Sequence, residues 1–239
     1  MSDRDPQTWP RQDVRTAEGT AQVRVLPPAG GPQNREAGTL LLGHGAGGQR
    51  DAADVLALTA LTGQGWTVVL VDQPWRVAGR RIASPPPRLD RAWRDVVAAL
   101  SGDPVEHLGP GTAPDGTALP RPWVYGGRSA GARVAARTSV GQDGTSAPGV
   151  AGVLCLAFPL HPPGRPDRSR ADELARPVEA GLPVLVVQGR RDPMGTPEEI
   201  EAAVPGRSLT LRAVDGTHSP ARDLDSVIGH AAAFLAASC

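Results

Sequence analysis

A chain of 239 residues is long enough for one α/β domain with a substantial core and leaves little room for a second. Its 25 basic and 25 acidic residues cancel, so no electrostatic footprint points to nucleic acid or to an anionic membrane surface. No window approaches the roughly 18 uninterrupted apolar residues of a membrane span, and the opening MSDRDPQTWPRQD lacks the apolar core of a leader, so a cytoplasmic location is expected.

All the cations are arginine. A single arginine such as Arg128 or Arg133 is therefore a weak sign of anion binding, and a solvated or helix-dipole role is the preferred reading. Cys155, inside the apolar run VLCLAF, and Cys239, at the very end, are not expected to form a bridge. No metal-ligand cluster or cofactor fingerprint is present, and the glycine-rich HGAGG is not a phosphate loop because no GK[ST] follows it.

Residues 1–20 are polar, hold Pro6 and Pro10, and read as a flexible N-terminal arm or one edge strand, with the folded domain over 21–239. Residues 21–26 alternate, and 39–42 form a continuous apolar run of the kind buried on both faces of a parallel sheet. That run ends in His44-Gly45-Ala46-Gly47-Gly48, where glycines let backbone N–H groups fold toward an oxyanion. Ala46 is the candidate donor, and the His44 imidazole is expected to brace the loop without touching substrate.

A helix over 51–61 and a strand over 66–71 make a βαβ unit. The long RVAGRRIASPPPRLD loop then leaves the strand where an open parallel sheet binds ligands. Arg80 and Arg81 are candidates for an anionic substrate group there, although base rates favour solvated or structural arginines. Residues 89–100 place Trp93, Val96, Val97 and Leu100 on one face of an amphipathic helix, and the glycine- and proline-rich 101–120 reads as a surface loop.

The stretch WVYGGRSAGARVAA, 123–136, carries the strongest signal. A short apolar strand ends in Gly127-Arg128-Ser129-Ala130-Gly131 and passes directly into an Ala-rich helical pattern. In a nucleophile elbow the apex serine is held in a strained conformation, so the residues two before and two after it must be small. Gly127 and Gly131 fill those places, leaving the Ser129 hydroxyl exposed with the Ala130 N–H beside it at the positive end of a helix.

Beyond the elbow, 150–157 is a strand that runs into Phe158-Pro159-Leu160-His161-Pro162-Pro163-Gly164. His161 is expected to satisfy backbone groups in that rigid turn more than to face a pocket. About 25 residues separate this strand from the next, 183–188, too few for a large helical lid. The next strand ends in Gly189-Arg190-Arg191-Asp192, which makes Asp192 the candidate acid, with an Asx turn or helix cap as the alternative. The last strand, 209–214, leads to Asp215-Gly216-Thr217-His218, and His218 is the candidate base. Residues 224–237 close the chain as an apolar helix that contains His230, read as structural.

The chain order Ser129, Asp192, His218, each after a strand, is the order of the α/β-hydrolase triad. From about residue 23 onward the sequence resembles an α/β-hydrolase of the dienelactone-hydrolase-like branch. More narrowly, HGAGG, the AGRR loop, GGRSAG, PLHPPG, QGRRDPMG and DGTHSP resemble the testis-expressed protein thirty / KAT8 regulatory complex subunit hydrolase-like family. The resemblance implies a doubly wound, mostly parallel sheet with helices on both faces and no large lid domain. It also implies catalytic Ser129, Asp192 and His218 but adds little on substrate; the residues themselves make Ala46 and Ala130 the candidate oxyanion hole, suggest no metal and no cofactor, and, with too little chain for a large lid, point to a small-molecule acyl substrate held through an acyl-enzyme. Because dienelactone hydrolases proper use a cysteine nucleophile, serine at 129 argues against carrying their substrate across. The alternative is an interaction protein that keeps the fold without turnover.

Overall fold

The apolar residues of the central strands follow a two-residue period on both faces, which fixes where each layer of helices must go. In the computed structural model, which describes residues 8–30, 36–47, 51–102, 118–219 and 221–238, β1 (Gln12–Thr16), β2 (Gly19–Leu26), β3 (Gly38–Gly43) and β4 (Trp66–Asp72) precede β5 (Trp123–Arg128). β6 (Val150–Leu156), β7 (Val184–Gly189) and β8 (Leu209–Val214) follow it. They form one sheet in the order β1-β2-β4-β3-β5-β6-β7-β8. The six strands from β4 to β8 run parallel, and β1 and β2 join antiparallel at one edge.

Leu41, Val69, Trp123, Tyr125, Val153 and Val186 point to one face, where they pack with residues of α3 (Pro86–Ser101), α4 (Ala130–Thr138) and α5 (Ala171–Glu179). Their sequence neighbours Leu40, Val68, Val124, Leu154 and Leu185 point to the other face and pack against α1 (Ala53–Ala57), the 3-10 turn Leu58–Gln64 and α7 (Leu224–Ala237). Two short helices, α2 (Pro74–Val77) and α6 (Pro197–Ala203), complete the set. The chain is thus doubly wound, with helices on both faces and no large lid domain among the described residues.

Several boundaries shift for local reasons. α3 begins three residues earlier than the amphipathic period suggests, because Pro86 and Pro87 suit a first turn whose N–H groups are unsatisfied anyway. It stops at Gly102, which is left-handed with φ 75°. α6 opens on a capping box in which Thr196 accepts from the Glu199 N–H and Glu199 accepts from the Thr196 N–H. The helix expected over 51–61 turns into 3-10 geometry after Ala57. Of the two readings of 1–20, the edge strand holds for Gln12–Thr16, which pairs with β2, so the sheet starts before residue 21. Glu18, in the hairpin turn, pairs with Arg88 and Arg91 of α3 and anchors that strand to the helical layer. Residues 103–117 of the expected 101–120 loop, and Cys239, lie outside the described residues. Cys155 is free and fully buried.

On the α3–α4–α5 layer, Glu173 accepts from Arg133 Nη2 at 2.6 Å and from Arg137 Nη1 at 2.8 Å, while Arg137 also reaches Asp90 at 2.6 Å. Burial opposes ionisation of Glu173, but the hydrogen bonds and charges of Arg133 and Arg137 outweigh it and hold the carboxyl below its ordinary value of 4.5. Folding therefore favours the ionised form, so the stabilisation is complete above pH 4.5 and is lost as pH falls through the lower folded value. Replacing Glu173 with Gln is expected to lower the urea midpoint at pH 7, and the difference from wild type should shrink below pH 4.5. A difference that stays constant down to pH 3 would contradict this assignment.

Candidate active site

In an open doubly wound sheet the crevice lies at the carboxyl ends of the strands where the winding reverses. That place is between β3 and β5: the chain leaves β3 toward α1 on one face and leaves β5 toward α4 on the other. Ser129 sits at the apex of the second turn with φ 53° and ψ −108°, one of two non-glycine residues with positive φ among the described residues. Such a conformation costs about 1–3 kcal/mol and persists only where its surroundings impose it.

The surroundings do so through absent side chains. A Cβ on Gly131 would come 2.2 Å from the Gly43 carbonyl oxygen, and one on Gly127 would come 2.5 Å from the same atom. Backbone of β3 and backbone of the elbow are in direct contact. The Ser129 N–H donates to Leu156 O at 3.0 Å, tying the apex to β6 as well.

His218 follows β8 on a turn that is pressed against the end of β7. A Cβ on Gly189 would meet Thr217 O at 2.2 Å, and the Arg191 N–H donates to Gly216 O at 3.0 Å. The result brings the three sequence-predicted residues together. Ser129 Oγ lies 2.8 Å from His218 Nε2, and His218 Nδ1 lies 2.8 Å from Asp192 Oδ2. An ionised carboxylate only accepts, so Nδ1 carries the ring proton and Nε2 is left to accept from the serine hydroxyl. The His218 side chain is 22% exposed and that of Asp192 is fully buried.

Asp192 also makes the Asx turn considered as its alternative role, because Oδ1 accepts from the Met194 N–H at 2.8 Å. One carboxylate thus shapes the turn with one oxygen and orients the imidazole with the other. Gln188, wholly buried near the end of β7, donates to Asp192 Oδ2 at 2.9 Å and accepts from the Phe158 N–H at 2.8 Å. This residue was not singled out in the sequence, although a lone amide at the end of the apolar run VLVVQG is itself a signal that a buried polar network needs a partner.

Arg128 departs from the solvated role expected of it. Its Nε donates to Asp54 Oδ2 at 2.9 Å and its Nη2 to the His218 carbonyl at 2.7 Å, so one guanidinium ties α1, the elbow and the histidine turn. Burial raises the Asp54 carboxyl above its ordinary value, with the Arg128 charge pulling the other way.

The HGAGG turn is braced as the sequence suggests for His44. Its Nε2 accepts from the Gln73 N–H at 3.1 Å, which leaves Nδ1–H to donate to Gly45 O at 2.8 Å, and the ring meets Trp75 edge-on at 5.5 Å. Arg76 stacks 4.4 Å over Trp75 and donates to the carbonyls of Gly45 and Ala46 at 3.3 and 3.2 Å. A trans peptide points its C=O and N–H in opposite directions, so these bonds turn the Ala46 N–H away from the side occupied by His44 and Arg76. Gly48 lies outside the described residues.

The remaining candidates stand apart from the triad. His161 is buried in its turn, with Nδ1 on Pro162 O at 2.9 Å and Nε2 3.6 Å from Glu199. Arg80 and Arg81 are exposed, beside Ile82 at 84% exposure. Groups of three or more His, Cys, Asp or Glu able to hold a metal are absent among the described residues. No helix among them is long and apolar enough to cross a membrane.

Solved structures share this architecture at low sequence identity. An alpha-beta serine hydrolase homologue from Coxiella burnetii superposes with a TM-score of 0.64 at 17% identity, covering 95% of both chains. Dienelactone hydrolase from Anabaena variabilis gives 0.67 at 17% identity over 95% of this chain and 96% of that one. A serine hydrolase without lid from Xanthomonas campestris gives 0.63 at 19% identity over 98% and 96%. No curated protein matches the sequence. The family model described as alpha/beta hydrolase domain matches residues 36–232, a span that takes in β3, the elbow and both turns that deliver Asp192 and His218, and the chain belongs to that family.

Proposed function

We propose that the chain is a serine hydrolase acting on carboxylic esters or thioesters of small to medium acyl groups. The observation that carries this is the unbroken hydrogen-bond chain from Asp192 through His218 to Ser129, two contacts of 2.8 Å on a hydroxyl held in a strained apex. A serine hydroxyl is a weak nucleophile at neutral pH unless a base takes its proton during attack. His218 Nε2 is placed to take it, and Asp192 holds the ring in the tautomer that makes Nε2 the acceptor and stabilises the imidazolium that forms.

Attack by Ser129 Oγ on the substrate carbonyl pushes negative charge onto its oxygen. The amides of Ala46 and Ala130 are the proposed receivers: neither donates to an acceptor among the described residues, and Ala130 opens α4, where the first N–H groups have no intrahelical partner. Collapse of that intermediate returns the proton from His218 to the leaving alcohol or thiol and leaves the acyl group on Ser129. Water, activated by the same nitrogen, then releases the acid. The motifs around this site also support kinship with the testis-expressed protein thirty / KAT8 regulatory complex subunit hydrolase-like family, at finer grain than the domain family. The lack of a large lid domain among the described residues argues for acyl groups that need no long enclosed tunnel.

Four outcomes are expected. A fluorophosphonate probe should label the folded wild type and not Ser129→Ala, and hydrolysis of p-nitrophenyl acetate should fall about 10³-fold or more in Ser129→Ala and His218→Ala. Equal labelling or equal turnover in these variants would remove the assignment. Across acyl esters of rising chain length, kcat/KM should peak at short or medium chains; best activity on long chains would contradict the proposed substrate size. Arg128→Leu, which leaves the buried Asp54 carboxylate without its cation, should destabilise the fold by about 3–5 kcal/mol in denaturant titrations, as expected for breaking a buried pair from one side. A variant as stable as wild type would show that this pair does not hold the elbow.

A further inference from the structure

A cavity of about 470 Å³ lies at the other end of the central strand, between the last turns of α3 and α4 and the 140–148 turn. Trp123, which begins β5 and lines this cavity, stands six residues before Ser129, roughly 20 Å away along an extended strand. The volume falls within the range of about 300–1,000 Å³ usual for small-molecule pockets, and the lining is mostly apolar, including Val97, Trp123 and Val140.

Unused donors are set into that lining. The Trp123 indole N–H is buried without an acceptor among the described residues. Tyr125 is only 2% exposed, and its hydroxyl likewise makes no hydrogen bond among them. Arg94 lines the same space with no carboxylate or carbonyl partner among the described residues, and Arg121 lies 5.1 Å over the Trp123 ring while donating to Pro148 O at 3.1 Å. Burial pushes the Tyr125 phenol up, so it stays protonated as a donor, and the charges that reach it in opposition are those of Arg121 and Arg94. One carboxylate, Asp143, also lines the cavity, but it is engaged by the Thr145 N–H and hydroxyl at 3.1 and 2.9 Å. Two cations and two idle donors thus stand against one carboxylate that already has its own donors.

We infer that this cavity is a second binding site, distinct from the Ser129 crevice, for a small carboxylate carrying an apolar tail. The tail lies along Val97, Trp123 and Val140, and the carboxylate accepts from the Arg94 guanidinium and the Tyr125 hydroxyl, with Arg121 closing the same end. A neutral head of equal size forgoes the charge-assisted bond to Arg94 and the field of Arg121, so charge and tail are both required. The site stands independently of what Ser129 does.

Isothermal titration of the full chain with octanoate tests this, with octanamide as the neutral control. Octanoate should bind wild type and Ser129→Ala with the same affinity, and octanamide at least about tenfold more weakly, the scale of one charge-assisted hydrogen bond. Arg94→Ala, a change at an exposed position that spares the core, should weaken octanoate by a similar factor, and Val97→Trp should block it by filling the cavity. Three results would each overturn the inference: no octanoate binding to wild type, octanamide binding as tightly as octanoate, or an affinity unchanged in Arg94→Ala. Affinity lost in Ser129→Ala but kept in Arg94→Ala would place the carboxylate in the Ser129 crevice instead.

Discussion

Everything at the carboxyl edge of the sheet depends on backbone meeting backbone where no side chain fits. The Gly43 carbonyl is packed against Gly127 and Gly131 so closely that a Cβ at either position would overlap it, at 2.5 and 2.2 Å. That contact presses the elbow onto the end of β3, whose continuation is the His44–Gly47 turn, and there a Cβ on Gly45 would lie 3.7 Å from the Arg128 carbonyl oxygen. A second contact of the same kind, Gly189 against Thr217 O, presses the histidine turn onto the end of β7. Ser129 stands between two regions that have been drawn together by the removal of atoms. Adding one methyl group at Gly131 would therefore act on position, moving the serine apex relative to β3 before it disturbed any hydrophobic contact.

The strained apex and the buried carboxylates are costs that the rest of the edge must offset. A serine at φ 53° and a wholly buried Asp192 are each unfavourable taken alone. Asp192 is tolerated because its two oxygens receive donors from Met194, Gln188 and His218, so no lone charge is left in the interior. Gln188 in turn is held by the Phe158 N–H, which places the turn after β6 in the same network. Asp54 and Arg128 repeat the arrangement one layer away, and there the guanidinium spends its second arm on the His218 carbonyl. Polar groups that would weaken the core in isolation become the links that fix the relative positions of β5, β7 and the turn after β8.

How far this was legible in the sequence follows from the same physics. Ser129, Asp192 and His218 stand out because each is a polar residue just past an apolar run, and their chain order is restrictive. The doubly wound sheet is legible because parallel strands buried on both faces leave continuous apolar runs such as TLLLG and VLVVQG. Arg128 was undervalued because arginine is the only cation the chain uses, so its presence carries little information until Asp54 is seen 2.9 Å away. The edge strand Gln12–Thr16 is one of two readings the sequence leaves open for 1–20, because a strand with one face in water and a sheet edge to protect is polar enough to pass for a loose arm. Arg76 could not be read at all: its partners are the carbonyls of Gly45 and Ala46, some thirty residues back, and backbone oxygens leave no mark on sequence.

β5 shows how one strand can serve two unlike environments. At its carboxyl end the residues shrink to Gly126 and Gly127, and the backbone itself becomes the packing surface. At its amino end stand Trp123 and Tyr125, large rings on the same face, whose polar atoms have apolar surroundings and arginines for company. Trp93 of α3 meets Tyr125 edge-on at 5.6 Å, and its ring also comes within 3.3 Å of where a Gly43 Cβ would be. That one indole therefore touches both ends of the arrangement, the aromatic end through Tyr125 and the elbow end through β3. Because interiors are packed to near crystal density, Tyr125 is joined to the glycines beneath Ser129 by two short paths, the backbone of β5 itself and the Trp93 ring that bridges Tyr125 and β3.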